Sequence, residues 1–126
     1  MSGYVTQINK ATAENTHFRQ VLFTGKFSQL VVMNLKPGEE IGMEVHNDVD
    51  QFLRIEAGEG KAILDGQEHT LKAGYAVVVP AGVEHNFVNT SSSKEMKLYT
   101  IYSPAEHPEG TVHKTKAEAD AAEHHH

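Results

Sequence analysis

Residues 44 to 51, EVHNDVDQ, carry side chains able to donate to a metal, among them Glu44, His46, Asp48 and Gln51. Glu44 and His46 are two apart, the spacing that puts side chains on one face of a strand. A further donor, His85, lies in the β-prone run EHNFVNT (84–90), where it shares a face with Phe87 and Asn89. There is no cysteine, so thiolate sites and disulfides are excluded and any metal would be held by nitrogen and oxygen. Taken alone, EVHNDVDQ reads in two ways: a solvated acidic turn, or part of a metal site completed from elsewhere in the chain.

The elements that would position these side chains are short β-prone runs separated by glycine-bearing turns. They cover 17–24, 27–35, 51–57, 61–64, 68–72, 75–79, 84–90 and 96–103. Asp65-Gly66 between apolar runs is a hairpin signal. Many short strands at close spacing argue for an antiparallel sandwich or barrel. In 51–57 one face holds Gln51, Leu53, Ile55 and Ala57 and the other Phe52, Arg54 and Glu56. The first is more apolar beyond its first member, so it should face inward and carry Gln51 with it. If Phe87 points inward, so does His85. Helix is expected only in the tail, over 116–123, behind a T-x-x-E capping box formed by Thr115 and Glu118. The segment SPAEHPEGTVH before it reads as irregular, with His107 and His113 at the surface.

The 126 residues fit one domain, expected over 1–113, followed by a short helical tail at 114–126 whose terminal HHH reads as tag-derived. The net charge of −6 and the lack of a basic stripe argue against nucleic acid as a partner. No apolar run approaches the roughly 20 residues of a membrane span, and no secretory leader is visible, so a cytoplasmic protein is expected. Exposed strand edges and outward apolar residues such as Val45 and Phe52 predict a homodimer.

Two motifs then read together. Gly74, YAVVV, Pro80, Ala81, Gly82, VE, His85, NFV, Asn89 matches G-x5-P-x-G-x2-H-x3-N without a departure. Gly38, EEIGM, Glu44, Val45, His46, NDVD, Gln51, FLRIEA, Gly58 matches the spacing of G-x5-H-x-H-x3,4-E-x6-G. Fifteen residues separate the two. By these motifs the chain resembles the cupins, and more closely a group of small bacterial cupins often labelled mannose-6-phosphate isomerase-like.

The resemblance implies an all-β, jelly-roll β-barrel (a double-stranded β-helix) with a short C-terminal helix and one divalent transition metal inside. Carried over by position, the ligands are Glu44, His46, Gln51 and His85, with Asp48 and Asp50 as non-ligands in the turn. Glu44 stands where the pattern has histidine, and Gln51 where it has glutamate. The carboxylate has moved but the ligand charge is unchanged, and two histidines with one carboxylate suit Mn, Fe, Ni or Zn. The chemistry implied is Lewis-acid isomerase or lyase action on a small sugar-like or oxo-acid substrate. Metal-dependent dioxygenation and non-catalytic binding of a metal or small ligand are the alternatives. Met33, Phe87, Tyr99 and Arg19 are candidates to line the substrate pocket, and Arg19 or Lys97 to clamp an anionic group.

Overall fold

The strand runs pair into two antiparallel sheets that face each other. The structure, a computed structural model, describes residues 2–123; the terminal HHH lies outside the described residues. The strands are β1 (Arg19–Thr24), β2 (Gln29–Leu35), β3 (Asp50–Ala57), β4 (Glu59–Leu64), β5 (Gln67–Lys72), β6 (Ala76–Val79), β7 (His85–Asn89), β8 (Met96–Ser103) and β9 (Val112–His113). The helices are α1 (Ile8–Glu14) and α2 (Lys116–Glu123). The larger sheet has the order β6-β3-β8-β2-β1-β9 and the smaller β5-β4-β7. Bridges from Glu40 to Val88 and from Glu44 to His85 lay the 40–44 segment along the free side of β7.

Period-two alternation decides what fills the space between the sheets. Leu53, Ile55, Val31, Met33, Leu98, Met96 and Phe87 are fully buried. Burying each such side chain stabilises the fold by about 1.5–3 kcal/mol. Gln51 and His85 are carried into the same interior, at 4% and 3% exposure, because they share parity with Leu53 and Phe87. Near the end of β8, Tyr102 lies opposite both Gln51 and Gln29 and is buried as well.

The outer face of the larger sheet is covered by the N-terminal segment. Asn34 donates to the Asn15 carbonyl at 3.1 Å, and Lys97 Nζ reaches the carbonyls of Ala13 and Asn15 at the end of α1. Sequence pattern does not call for α1. It has seven residues, its N-cap Gln7 makes no side-chain cap bond, and Ile8 is its one large apolar residue. Packing against the sheet forms it. Helix α2 occupies the expected span: Thr115 Oγ1 accepts the Glu118 N–H at 3.1 Å, while Glu118 Oε1 accepts the Lys114 N–H at 3.2 Å. Its Ala119 is buried in the core. No helix among the described residues is long and apolar enough to cross a membrane.

The segment after β8 is more ordered than its composition predicts. Buried Gln29 holds it: its Nε2 donates to the His107 carbonyl at 2.7 Å, and its Oε1 accepts the N–H groups of Glu106 and His107 at 3.2 and 3.1 Å. β9 then pairs with β1, setting His113 beside Arg19.

Candidate metal centre and its surroundings

Glu44 and His85 meet as an antiparallel hydrogen-bonded pair. Each backbone N–H donates to the other's carbonyl at 2.9 Å, which sets the two side chains opposite each other on one face. The turn at 80–82 is tied to the 46–50 segment: the Gly82 N–H donates to the His46 carbonyl at 2.8 Å, and the Ala81 N–H to Asp50 Oδ1 at 2.9 Å. Gly82 has φ +88°, a conformation costly for a residue with a Cβ. The two distant motifs are therefore locked together by backbone contacts, and Asp50 acts as a turn acceptor.

His46 Nε2 lies 3.4 Å from Glu44 Oε2, and the His46 and His85 ring centroids are 5.2 Å apart. Two ligands about 2.1 Å from one ion at tetrahedral angles are themselves about 3.4 Å apart, and two imidazoles so placed have centroids roughly 5 Å apart. His85 Nδ1 lies 2.9 Å from the Val83 carbonyl, which only accepts. Nδ1 therefore carries the proton and Nε2 keeps a lone pair. Gln51 Nε2 donates to Thr100 Oγ1 at 3.0 Å, while its Oε1 is buried with no partner. That orphaned oxygen is the donor a hard or borderline cation would use. Among the described residues, no three His, Asp or Glu side chains already converge on one ligating point. The donor types, the pair spacings and the free Gln51 oxygen nonetheless fit a divalent ion.

Burial raises the Glu44 carboxyl above its ordinary range, opposed by His46 and Arg19. Burial lowers the His85 imidazole, opposed by its bond to the Val83 carbonyl. The second is the direction a ligand needs, since only neutral histidine binds a metal.

The surroundings include groups the motifs do not contain. Glu106 Oε1 lies 3.3 Å from His46 Nδ1, the position of a carboxylate that orients a ligating histidine. Tyr102 stands edge-on to His46 at 6.3 Å and to His107 at 5.2 Å between ring centroids. Arg19 is 3% exposed, and its Nη1 is 3.1 Å from His113 Nδ1.

The candidate pocket residues divide. Arg19 faces the interior near the site. Phe87 packs beside His85 at 6.0 Å between ring centroids, fully buried, and Met33 is also fully buried in the core. Tyr99 is corrected: it lies on the outer face of β8, tilted against Phe52 at 6.3 Å. The inner face is Met96, Leu98, Thr100 and Tyr102, all buried. Lys97 is on the outer face too, so it clamps no interior anion. Parity in MKLYTIYS was the available signal, since Tyr99 shares a face with charged Lys97 and Tyr102 with Leu98. Nothing in the sequence marks Glu106, which reaches His46 only through the Gln29 anchor. A groove of about 560 Å3 lined by Leu64, His69, Leu71, Tyr75 and Val78 lies elsewhere, between β4, β5 and β6, and contains none of the four candidate ligands.

A two-sheet β-barrel with Glu44, His46 and His85 brought together and Gln51 turned inward is the class these observations define. Residues 31–102 match the family model of the cupin domain, and the chain belongs to the cupin family. It is 50% identical to the Bacillus subtilis protein YrkC over 95% of this chain and 67% of that one. A crystal structure of a Bacillus halodurans protein superimposes with a TM-score of 0.91 at 41% identity, covering 94% of this chain and 93% of the other. A quercetin 2,3-dioxygenase of Bacillus subtilis is 25% identical over 68% of this chain and 29% of its own length.

Proposed function

We propose that the protein binds one divalent transition metal through Glu44, His46, Gln51 and His85 and acts on a small oxo-acid or sugar-like molecule as an isomerase or lyase. The observation that carries this reading is the grouping of Glu44, His46 and His85, with Glu44 Oε2 3.4 Å from His46 Nε2 and the two histidine rings 5.2 Å apart; the buried Gln51 Oε1, without a partner on the inner face, is the further donor. When bound, the metal would polarise a substrate oxygen as a Lewis acid. The chain's own residues do the remaining work. Glu106 orients His46 through Nδ1, and the Val83 carbonyl orients His85. The packed rings of Tyr102 and Phe87 limit water around the donors.

The second reading is metal-dependent dioxygenation. The similarity to a quercetin 2,3-dioxygenase favours it, as does the donor set, since two histidines and a carboxylate also serve non-haem iron oxygenases. The third is a module that binds a metal or small ligand without catalysis.

The test begins with metal analysis of untagged, desalted protein, which should show close to one Mn, Fe, Ni or Zn per chain, or uptake of one. His46→Ala and His85→Ala should lower occupancy most. Trace metal with no uptake would sink the proposal. Loaded forms are then incubated with aldoses, sugar phosphates, unsaturated uronates and diketones, following O2 uptake and product NMR together. Turnover without O2 uptake supports isomerase or lyase action. Iron-specific turnover with stoichiometric O2 consumption supports the dioxygenase reading.

A further inference from the structure

Arg19 is a buried guanidinium with no carboxylate at contact distance among the described residues. None of the salt bridges among the described residues involves it. The carboxylates of Glu44 and Glu106 are both engaged with His46. Arg19 Nη1 is tied to His113 Nδ1, but its Nε is buried with no acceptor. Beside it stand the Tyr102 hydroxyl and His107, whose Nε2 is likewise buried with no partner. An unpaired buried charge with idle donors is costly to the fold, and a bound anion removes that cost.

We propose that Arg19, Tyr102 and His107 form a carboxylate-binding subsite beside the Glu44–His46 pair, so that the ligand of this barrel is a small organic acid. Its carboxylate lies on Arg19 and its adjacent carbonyl or hydroxyl oxygen points toward Glu44, His46, Gln51 and His85. Tyr102, which touches both His46 and His107, spans the two halves.

The donor chemistry supports this class. The Tyr102 phenol is buried and carries an O–H that can donate. Burial and Arg19 hold His107 at about 3, so it is neutral at pH 7. Arg19 is thus the cation of the subsite, and its planar fork matches a planar carboxylate. Glu44 and Glu106 stand close enough to act on Tyr102 electrostatically, which disfavours a phosphate dianion in the same space. With a divalent ion in place, the ion, Arg19, Glu44 and Glu106 together carry one net positive charge, which one carboxylate neutralises. That count rests on the metal proposed above; the orphaned guanidinium does not.

The chain has two arginines, Arg19 and Arg54, so the arginine Nε–H region of an 15N spectrum holds two signals to assign. Zn-loaded and metal-free full-length protein are titrated separately with pyruvate, acetate, hydroxyacetone and inorganic phosphate. Pyruvate should shift the Arg19 Nε–H saturably and leave that of Arg54 unmoved, while neutral hydroxyacetone shifts neither. Arg19→Gln should weaken pyruvate binding at least tenfold with Zn uptake unchanged. Tyr102→Phe should weaken it about threefold or more, and it keeps the test open should Arg19→Gln fail to fold. Retained pyruvate affinity in Arg19→Gln overturns the subsite. So does silence of the Arg19 signal to both acids, or tighter binding of phosphate than of pyruvate. If wild type takes up no metal, the metal reading fails by itself, and the metal-free titration still decides the role of Arg19.

Discussion

Replacing Gln51 by leucine separates a ligand from a structural hydrogen-bonder, because the two roles predict opposite signs. Gln51 is 4% exposed, donates to Thr100 Oγ1 at 3.0 Å and leaves Oε1 without a partner. In metal-free protein that buried carbonyl costs about 1–3 kcal/mol, while the bond to Thr100 contributes about 0.5–1.5 kcal/mol. Leucine is similar in volume and removes both, but alone it strands the fully buried Thr100 hydroxyl, so Thr100→Val is made in the same variant, and the metal-free double variant should gain about 1 kcal/mol. For a chain of this size that is roughly 3–6 °C in Tm. The same variant loses an oxygen donor to the metal and should bind it about tenfold more weakly, equivalent to about 1.4 kcal/mol. Calorimetric melts in chelator and in excess Zn read both effects, since a ligand raises Tm according to its affinity. The expected pattern is a higher melt without metal and a smaller rise with it. A lower melt in chelator together with unchanged Zn affinity would refute the reasoning and leave Gln51 as a partner of Thr100 only.

Gly60→Ala should cost about 2–4 kcal/mol in urea unfolding, because a Cβ there would run into the Val88 carbonyl oxygen and stand 2.7 Å from Met96 Sδ; a loss under 1 kcal/mol would show that β4 and β7 have room to part. Metal-free protein should lose stability as pH falls from about 6.5 toward 3. His107 at about 3 and the lowered His85 stay neutral when folded, whereas the unfolded chain takes up protons from about pH 6.5. Glu44, raised by burial, works in the other direction, since the folded form takes up its proton first and offsets part of the loss. His107→Leu should flatten the acid limb by about 1–2 kcal/mol between pH 7 and 4, after discounting for partial exposure; an unchanged slope by chemical denaturation would contradict this. Light scattering should give about 28 kDa, twice the chain mass of 13.9 kDa, if a second copy covers exposed Tyr75, Val78, Val45 and Met43; a mass near that of one chain at micromolar concentration would remove the dimer.

Strand order of burial was legible in the chain because one face of each strand must leave water, and apolar residues at every second position state which face that is. This is why Gln51 and His85 could be placed inside before any pairing was known. The turns at Asp65-Gly66 and 80–82 were legible for a local reason too, since only certain residues adopt their backbone angles. The motif spacing offered candidate donors, but it could not say that Glu44 and His85 sit in one hydrogen-bonded pair, a contact across 41 residues of sequence. Tertiary structure alone decided four further things. It formed α1, which has neither cap nor apolar stripe and exists by docking on β2 and β8. It brought the inward-facing Tyr102 against both His46 and His107. It drew Glu106 and His107 over the site through Gln29, and His113 onto Arg19 through β9. These contacts join residues tens of positions apart through single polar groups, and such pairings leave no periodic trace in the chain. Their energy comes from desolvation, which is known only once both partners share the same buried space.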